Sequence, residues 1–566
     1  MELYQAAAAA VVIAIVYLLM AVFKGKKKMD RATQAMLESR TACTGEVEAQ
    51  IASLSNTLNT VPVLEEEATC AEQIRQIVQQ SHLKYDALVS DPVALLRATR
   101  HVDTEHGALY TRYTVQYNLY AGTVVALGSD EQRAKLFATQ TAGTLGCFAF
   151  TECGAGVMSG AGVETEAVYD PQRDCFTIHS ATPTARKTWI SQGGYAEYAV
   201  ILANLIMPGK DGGEPEKKGP HIFWSRIATR EDVSSLERPV PEKGVTVDML
   251  PTKTSLPGLD NAYISFDHFE VPRAALLSRF SGVDDNGAYV TNFPAGAKRM
   301  LDVLLSRLLT GRICLSEFTT GYAQMLLRRQ WEYAGTRELW RGRKPEGPKM
   351  NTMPLIEGGM TDLVRGLHVV QTFIAQTREV VGQAIKGDVF PNELVEATCI
   401  CKFVGTSLGV DAVSMLRKMM GSHALFAKSG LGAPAFVCNA TCSAEGDNTI
   451  MELKILSDMI RGRTAKFPSG LVARSMGRAA GRRVLAIYTA RFAKAIVLGK
   501  GAMKDGQLLK DIAWARAHLL IMDAFWSSKT GATGHGTEGG VSERAKADFI
   551  ASYERLFIKF PTPICF

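Results

Sequence analysis

Apolar positions recur along this chain in three successive rhythms. From about residue 31 to 145 the spacing is helical: Leu95, Leu96 and the run Tyr117, Leu119, Tyr120, Val124, Val125 and Leu127 fall on helix faces. Gly128-Ser129-Asp130-Glu131 then reads as a break followed by a helix cap. From about Cys147 to Phe280 the period changes to two. Val163, Thr165, Ala167 and Tyr169 alternate with mostly polar neighbours, Glu197 to Met207 is a dense apolar run, and Tyr263 to Val271 alternates around Ile264 and Phe266. From Phe293 to Arg463 helical spacing returns. Three stripes carry it: Leu301, Leu304, Leu305, Leu308, Leu309; then Leu394, Thr398, Cys401, Val404, Leu408; then Ile450, Met451, Leu453, Ile455, Leu456, Met459. Residues 466–566 continue as helix with a Gly-rich interruption from Gly531 to Gly540.

These rhythms predict an α+β multidomain chain. An N-terminal helical domain spans 31–145, an antiparallel β-barrel or sandwich 146–280, a helical bundle 281–465 and a helical extension 466–566. A β unit held between two helical units leaves interdomain crevices, where ligands bind.

Composition adds a compartment. The 566 residues are too many for one ordinary core, and 46% hydrophobic with 21% charged content is globular. Net charge is +6; without Lys24, Lys26, Lys27 and Lys28 it is about +2 (6 − 4), and no basic face with interleaved aromatics points to nucleic acid. Ala6 to Phe23 is apolar and uncharged, and the lysines follow it. That order predicts one N-terminal transmembrane helix within residues 1–30, with the body on the cytosolic or matrix side. A removed targeting segment and a helix packed on a partner are the alternatives. The mitochondrial and peroxisomal membranes both fit. The eleven cysteines show no zinc-ligand spacing and read as reduced thiols, with no metal site.

Three tracts carry candidate chemistry. Ala444-Glu445-Gly446-Asp447-Asn448-Thr449 places one acid on a turn at the mouth of a helix that Asp447, Asn448 or Thr449 can cap. Such a carboxylate can be aimed into a cavity, where a general base would sit; the alternative is a solvated acid beside a cap. In Thr151-Glu152-Cys153-Gly154-Ala155-Gly156 small residues let backbone N–H groups approach a ligand and Thr151 adds a hydroxyl, though a plain Gly-rich turn reads the same way. In Lys187-Thr188-Trp189-Ile190-Ser191-Gln192-Gly193-Gly194, Trp189 can stack on a flat ring beside the Ser191 hydroxyl, or sit in the core.

Taken in order, these tracts resemble the acyl-CoA dehydrogenase and oxidase superfamily, with the closer likeness to acyl-CoA oxidases, over roughly residues 90–465. Gly258-Leu259-Asp260-Asn261 through Arg273, Gly311-Arg312 to Trp340, and Met420-Gly421-Ser422-His423 complete the likeness. The resemblance implies FAD, contacted by Thr151, Gly154, Gly156, Trp189, Ser191, Arg337, Trp340, Gly421, Asn448 and Thr449. It implies Glu445 as the base that takes the α-proton of an acyl-CoA while a hydride leaves for the flavin, giving a 2-enoyl-CoA. Oxygen or an electron-transfer flavoprotein would take the electrons, and a homodimer or tetramer is implied because the family completes its FAD site across subunits. Some family members carry the base a turn or two before the Gly-Arg pair; Ser306 and Arg307 stand there, which leaves Glu445. Val157-Met158, Ser191-Gln192 and Gly421-Ser422-His423-Ala424-Leu425 depart from the family pattern and alter polar contacts to FAD. They favour a second reading, a non-catalytic or weakly flavinylated subunit of a membrane complex.

Overall fold

The computed structural model describes residues 67–80, 83–101, 107–155, 162–209, 213–232, 236–253, 255–294, 297, 299–307, 309–340, 346–432, 434–465, 479–498, 505–528 and 543–557. The expected transmembrane helix, its lysine flank and Gly156 lie outside these residues. Among the described residues one helix is long and apolar enough to cross a membrane, the one that begins at Asn392, and most of it is buried inside the bundle.

The N-terminal helices are α1 (Glu67–Gln80), α2 (Ala87–Ser90), α3 (Pro92–His101), α4 (Gly107–Thr114), α5 (Gly122–Leu127) and α6 (Asp130–Thr141). Val115–Ala121, between α4 and α5, is wound as a π-helix, a form that gathers at functional sites. The break expected at Gly128 is present, and Ser129 and Gln132 close a capping box on α6.

Thirteen strands follow: β1 (Gly146–Ala149), β2 (Glu166–Asp170), β3 (Cys175–His179), β4 (Lys187–Ser191), β5 (Tyr198–Met207), β6 (Glu216–Arg226), β7 (Ala228–Thr229), β8 (Val240–Pro241), β9 (Val245–Met249), β10 (Asn261–Phe266), β11 (Phe269–Pro272), β12 (Ser281–Val283) and β13 (Tyr289–Thr291). The main sheet runs β1-β5-β2-β3-β11 with β6 on β5, and a second sheet runs β4-β10-β9. The β unit is therefore mixed rather than antiparallel throughout. β5 pairs in parallel with both β1 and β2. A parallel partner needs a long crossover, and segments 150–197 and 171–197 supply it. β5 is the dense apolar run, buried on both faces. Val200 and Leu202 pack with the helices, while Ala199, Ile201, Ala203 and Leu205 pack between the sheets.

The bundle comprises α7 (Met300–Arg307), α8 (Leu309–Thr336), α9 (Pro354–Gly387), α10 (Asn392–Met420), α11 (Pro434–Ser443), α12 (Asn448–Ile460), α13 (Ala479–Leu498), α14 (Gly506–Ser527) and α15 (Glu543–Phe557). One core joins α8, α9, α10, α12, α14 and α15, and Leu96 and Tyr110 from the N-terminal helices enter it. The nine cysteines among the described residues are all free thiols.

Candidate active site

Glu445 lies between α11 and α12 on two consecutive left-handed residues, φ +56° at Glu445 and +92° at Gly446. For a glutamate this backbone is unfavourable, and the surroundings must hold it. Asp447 is the cap: its carboxylate accepts from the Thr449 N–H at 2.8 Å. The turn throws the Glu445 side chain against α8, where a Cβ at Gly311 would fall inside the Glu445 carboxyl. Glycine is thus required at 311 for the acid to sit there.

The Glu445 carboxyl is half-buried, and no hydrogen-bond donor reaches it among the described residues. Burial pushes its pKa up to about 7, against the opposing pull of Arg312 and Lys402. Arg312 Nη1 donates to Cys399 Sγ at 3.3 Å, while its buried Nε has no hydrogen-bond partner among the described residues. Lys402 Nζ donates to Cys442 O at 2.6 Å and to Asn448 Oδ1 at 2.7 Å. Asn448 points into the bundle: its amide donates to Ser407 Oγ at 3.0 Å and Thr406 Oγ1 at 3.1 Å, so these contacts occupy it. Thr449 is exposed on the first turn of α12.

The Thr151 turn is built on a residue that pattern alone does not single out. Glu152 is 1% exposed and accepts from Glu164 N (2.6 Å), Thr165 N (3.1 Å), Thr165 Oγ1 (2.7 Å) and Lys187 Nζ (2.7 Å). Lys187 is fully buried and also donates to Leu202 O at 2.6 Å. This pair, thirty-five residues apart in sequence, pins the turn to β4 and β5. Thr151 is left exposed, with its carbonyl accepting from Thr188 N. Gly154 is cramped: a Cβ there would lie 2.9 Å from Glu164 Oε1 and 3.0 Å from Thr184 Cβ.

Trp189 is not a core residue. It is 61% exposed on β4, at φ +57°. Asn261 Nδ2 donates to Ser191 Oγ at 3.0 Å. Gln192, also at positive φ, is buried; its Nε2 donates to Gln116 Oε1 at 2.7 Å and Gly146 O at 2.8 Å, and its Oε1 has no partner among the described residues. The following turn is fixed by Asp260, which accepts from Gly194 N at 2.6 Å and pairs with fully buried Arg112 at 2.6 Å. Gln116 and Tyr110 lie on one continuous helical stretch, and Tyr110 donates to Cys314 O at 3.0 Å, one turn from Gly311. The same stretch therefore touches both the Trp189 segment and α8 one turn from the glycine that faces Glu445.

Arg337 and Trp340 lie at the other end of α8. Gly311 to Thr336 spans about 38 Å of helix at ~1.5 Å per residue. Both side chains are exposed, Trp340 by 89%. The turn Gly421–Leu425 packs at this end, with His423 stacked on Tyr333 at 3.5 Å and Gly421 at φ +58°. The predicted residues thus form two groups. Thr151, Gly154, Trp189 and Ser191 lie on the β domain and Glu445 against the start of α8, the two joined through the stretch of Tyr110 and Gln116; Arg337, Trp340 and Gly421 stand at the far end of α8.

The profile of the acyl-CoA oxidase C-alpha1 domain matches residues 365–460, which contain α10, Lys402, Gly421 and Glu445. The chain is similar in sequence to acyl-CoA oxidases and carries the acyl-CoA dehydrogenase/oxidase fold. Peroxisomal acyl-coenzyme A oxidase 2 of Arabidopsis thaliana is 25% identical over 417 residues, 71% of this chain and 58% of that protein. Peroxisomal acyl-coenzyme A oxidase 1 of the same plant is 28% identical over 386 residues, 65% of this chain and 54% of that protein. The chain spans little more than half the length of these curated relatives. Acyl-CoA oxidase-2 of Caenorhabditis elegans, solved with FAD, ascaroside-CoA and ATP, superposes with a TM-score of 0.69 at 19% identity, covering 93% of this chain and 81% of that one. Butyryl-CoA dehydrogenase of Megasphaera elsdenii superposes at 0.56 with 15% identity, covering 74% of this chain and 99% of that one. The oxidase relatives therefore extend beyond the dehydrogenase-sized unit, as this chain does.

The residue that sequence reasoning missed is Gly311. Ser306 and Arg307 stand a turn or more earlier in the chain, whereas the position against the Glu445 carboxyl is Gly311 itself.

Proposed function

We propose that this protein is an FAD-dependent acyl-CoA oxidoreductase that converts an acyl-CoA thioester to a 2-enoyl-CoA, with Glu445 as the base. The observation that carries the reading is the Glu445 carboxyl: half-buried, free of hydrogen-bond donors among the described residues, and with a pKa raised to about 7. A solvated acid beside a helix cap has none of these properties. An α-proton acceptor needs all of them, since its proton affinity must be raised and its lone pairs kept open.

The residues present fit FAD. Trp189 offers an exposed aromatic face on a strained backbone, Thr151 leaves its side chain exposed beside the Gly154 turn, and Gln192 keeps a buried carbonyl oxygen with no donor among the described residues. Thr151, Gly154, Trp189 and Ser191 would hold the flavin, and when bound it supplies the acceptor for the hydride leaving the acyl β-carbon. Asn448 and Thr449 would act through the Glu445 turn. Glu445 takes the α-proton as that hydride leaves, so the acyl group loses two hydrogens and two electrons. Molecular oxygen is the proposed final acceptor, in keeping with the oxidase relatives.

Arg337, Trp340 and Gly421 lie about 38 Å of helix away from Gly311. They would complete the site of a second copy, making the working unit a homo-oligomer. The relatives named peroxisomal suggest that compartment for this protein. The rival reading, a non-catalytic subunit of a membrane complex, leaves the open Glu445 carboxyl without a role. The test is the visible spectrum of the purified protein under argon. Flavin absorbance that bleaches on adding butanoyl-, octanoyl- or palmitoyl-CoA is the expected result; a folded, colourless protein contradicts the proposal.

A further inference from the structure

We propose that Lys402 is a positioning residue for Glu445, an ammonium clip that ties together the two ends of the turn presenting the carboxylate. The inference rests on the reading of Glu445 as the base, and it concerns how this chain keeps that base in place.

Lys402 lies mid-way along α10 and is fully buried. One hydrogen bond goes to the carbonyl of Cys442, in the last turn of α11, and the other to the side chain of Asn448, the first residue of α12. The five residues between these anchors, Ser443 to Asp447, are the turn that carries Glu445. Two of them hold left-handed backbones, one without the freedom of glycine. Asn448 is locked to Thr406 and Ser407, so the second anchor is itself rigid. Thr406 sits one turn from Lys402 and donates to its carbonyl at 2.8 Å.

The choice of a lysine needs explanation. Among the described residues both hydrogen bonds of Lys402 go to neutral oxygens, and a buried cation without a carboxylate partner is costly. A glutamine amide is neutral and ends one atom short of the lysine nitrogen, so it would not span both oxygens. What the ammonium adds is charge facing the turn. Asp447 and Glu445 both act on it, and it draws the Glu445 carboxyl toward the ionised form together with Arg312. The remaining titratable groups facing the pair are Cys314 from α8 and Cys442 from α11. Lys402 thus fixes the geometry of the base and keeps its proton affinity from rising beyond use.

The test uses the flavin-loaded full-length protein with Lys402→Gln, Lys402→Met and Asn448→Ala. Hydrogen exchange of amides 443–449 should quicken by at least about tenfold in the Lys402 variants, while the rest of α10 and α12 keeps its protection. Bleaching by palmitoyl-CoA at saturation should slow by about 10- to 100-fold with little change in apparent affinity. The acidic limb of the rate–pH profile should move up by about one pH unit in Lys402→Gln, because a cation that favours the carboxylate is gone. Lys402→Arg should restore the limb but not the full rate. If the Lys402 variants do not fold, Asn448→Ala removes one anchor while leaving the charge, and faster exchange of the turn with an unmoved limb is expected. Unchanged exchange at 443–449 overturns the clip. Unchanged rate and limb in Lys402→Gln overturn the positioning role. Should the wild-type protein bind no flavin, the proposed function fails, and the exchange result alone decides whether the clip exists.

Discussion

At Glu445 the balance of forces sets a pH window. Burial raises its pKa to about 7, so the carboxylate needed to accept a proton accumulates only as pH rises through that value. The bleaching rate should therefore climb between about pH 6 and 8, the limb that Glu445→Gln removes. Stability runs the other way. An unfolded glutamate releases its proton near 4.5, the folded one near 7, so between these values the native chain binds more protons. Glu445 then subtracts stability as pH rises through the window, and the subtraction is complete above it. The melting temperature of Glu445→Gln relative to wild type should rise between about pH 5 and 8; a constant difference would contradict the buried placement. Gly311→Ala separates packing from chemistry. Alanine at an interior helical site is favourable by about 1 kcal/mol over glycine, and its Cβ would displace only the mobile end of Glu445. Melting should hold or rise while the bleaching rate falls. The sequence shows Glu445 as an acid beside a cap, because capping is local. That its carboxyl faces Gly311 depends on α8 lying across the turn, which no local pattern encodes.

Among the elements, the helices were the most readable. The helical stripes, the Ser129 cap and the buried β5 run correspond to elements in the structure, because periodicity and capping are properties of short segments. Two features were hidden. The parallel pairing of β5 with β1 and β2 is decided by where long connections return the chain, and alternation looks the same for either direction. The Glu152–Lys187 pair joins residues thirty-five apart and appears in sequence as two ordinary charges. It orders the turn that carries Thr151, so Lys187→Met should cost about 3–5 kcal/mol by leaving Glu152 buried and uncompensated. Chemical denaturation of that variant measures this. The same experiment on Asp447→Ala should show a smaller loss, about 1 kcal/mol for a helix N-cap.

On the scale of the whole molecule, the length of α8 makes the strongest demand. Arg337 and Trp340 lie beyond one end and Glu445 packs at the other, about 38 Å of helix apart, so they serve one flavin only if different copies supply them. Co-expressing Glu445→Gln with Arg337→Ala chains should give a population with about a quarter of wild-type activity, since about half of the dimers are mixed and each of these keeps one of its two sites. Mixtures as inactive as either variant alone would contradict a shared site. The order of the motifs was legible in the sequence, but their partition between the two ends of α8 was not, since a linear order carries no distance. The central claim is that Glu445 removes the α-proton, and the most direct measurement is the anaerobic bleaching rate of Glu445→Gln loaded with flavin to the wild-type level. The rate with palmitoyl-CoA should fall by about 10²- to 10⁴-fold with the flavin retained; a rate equal to wild type would contradict it.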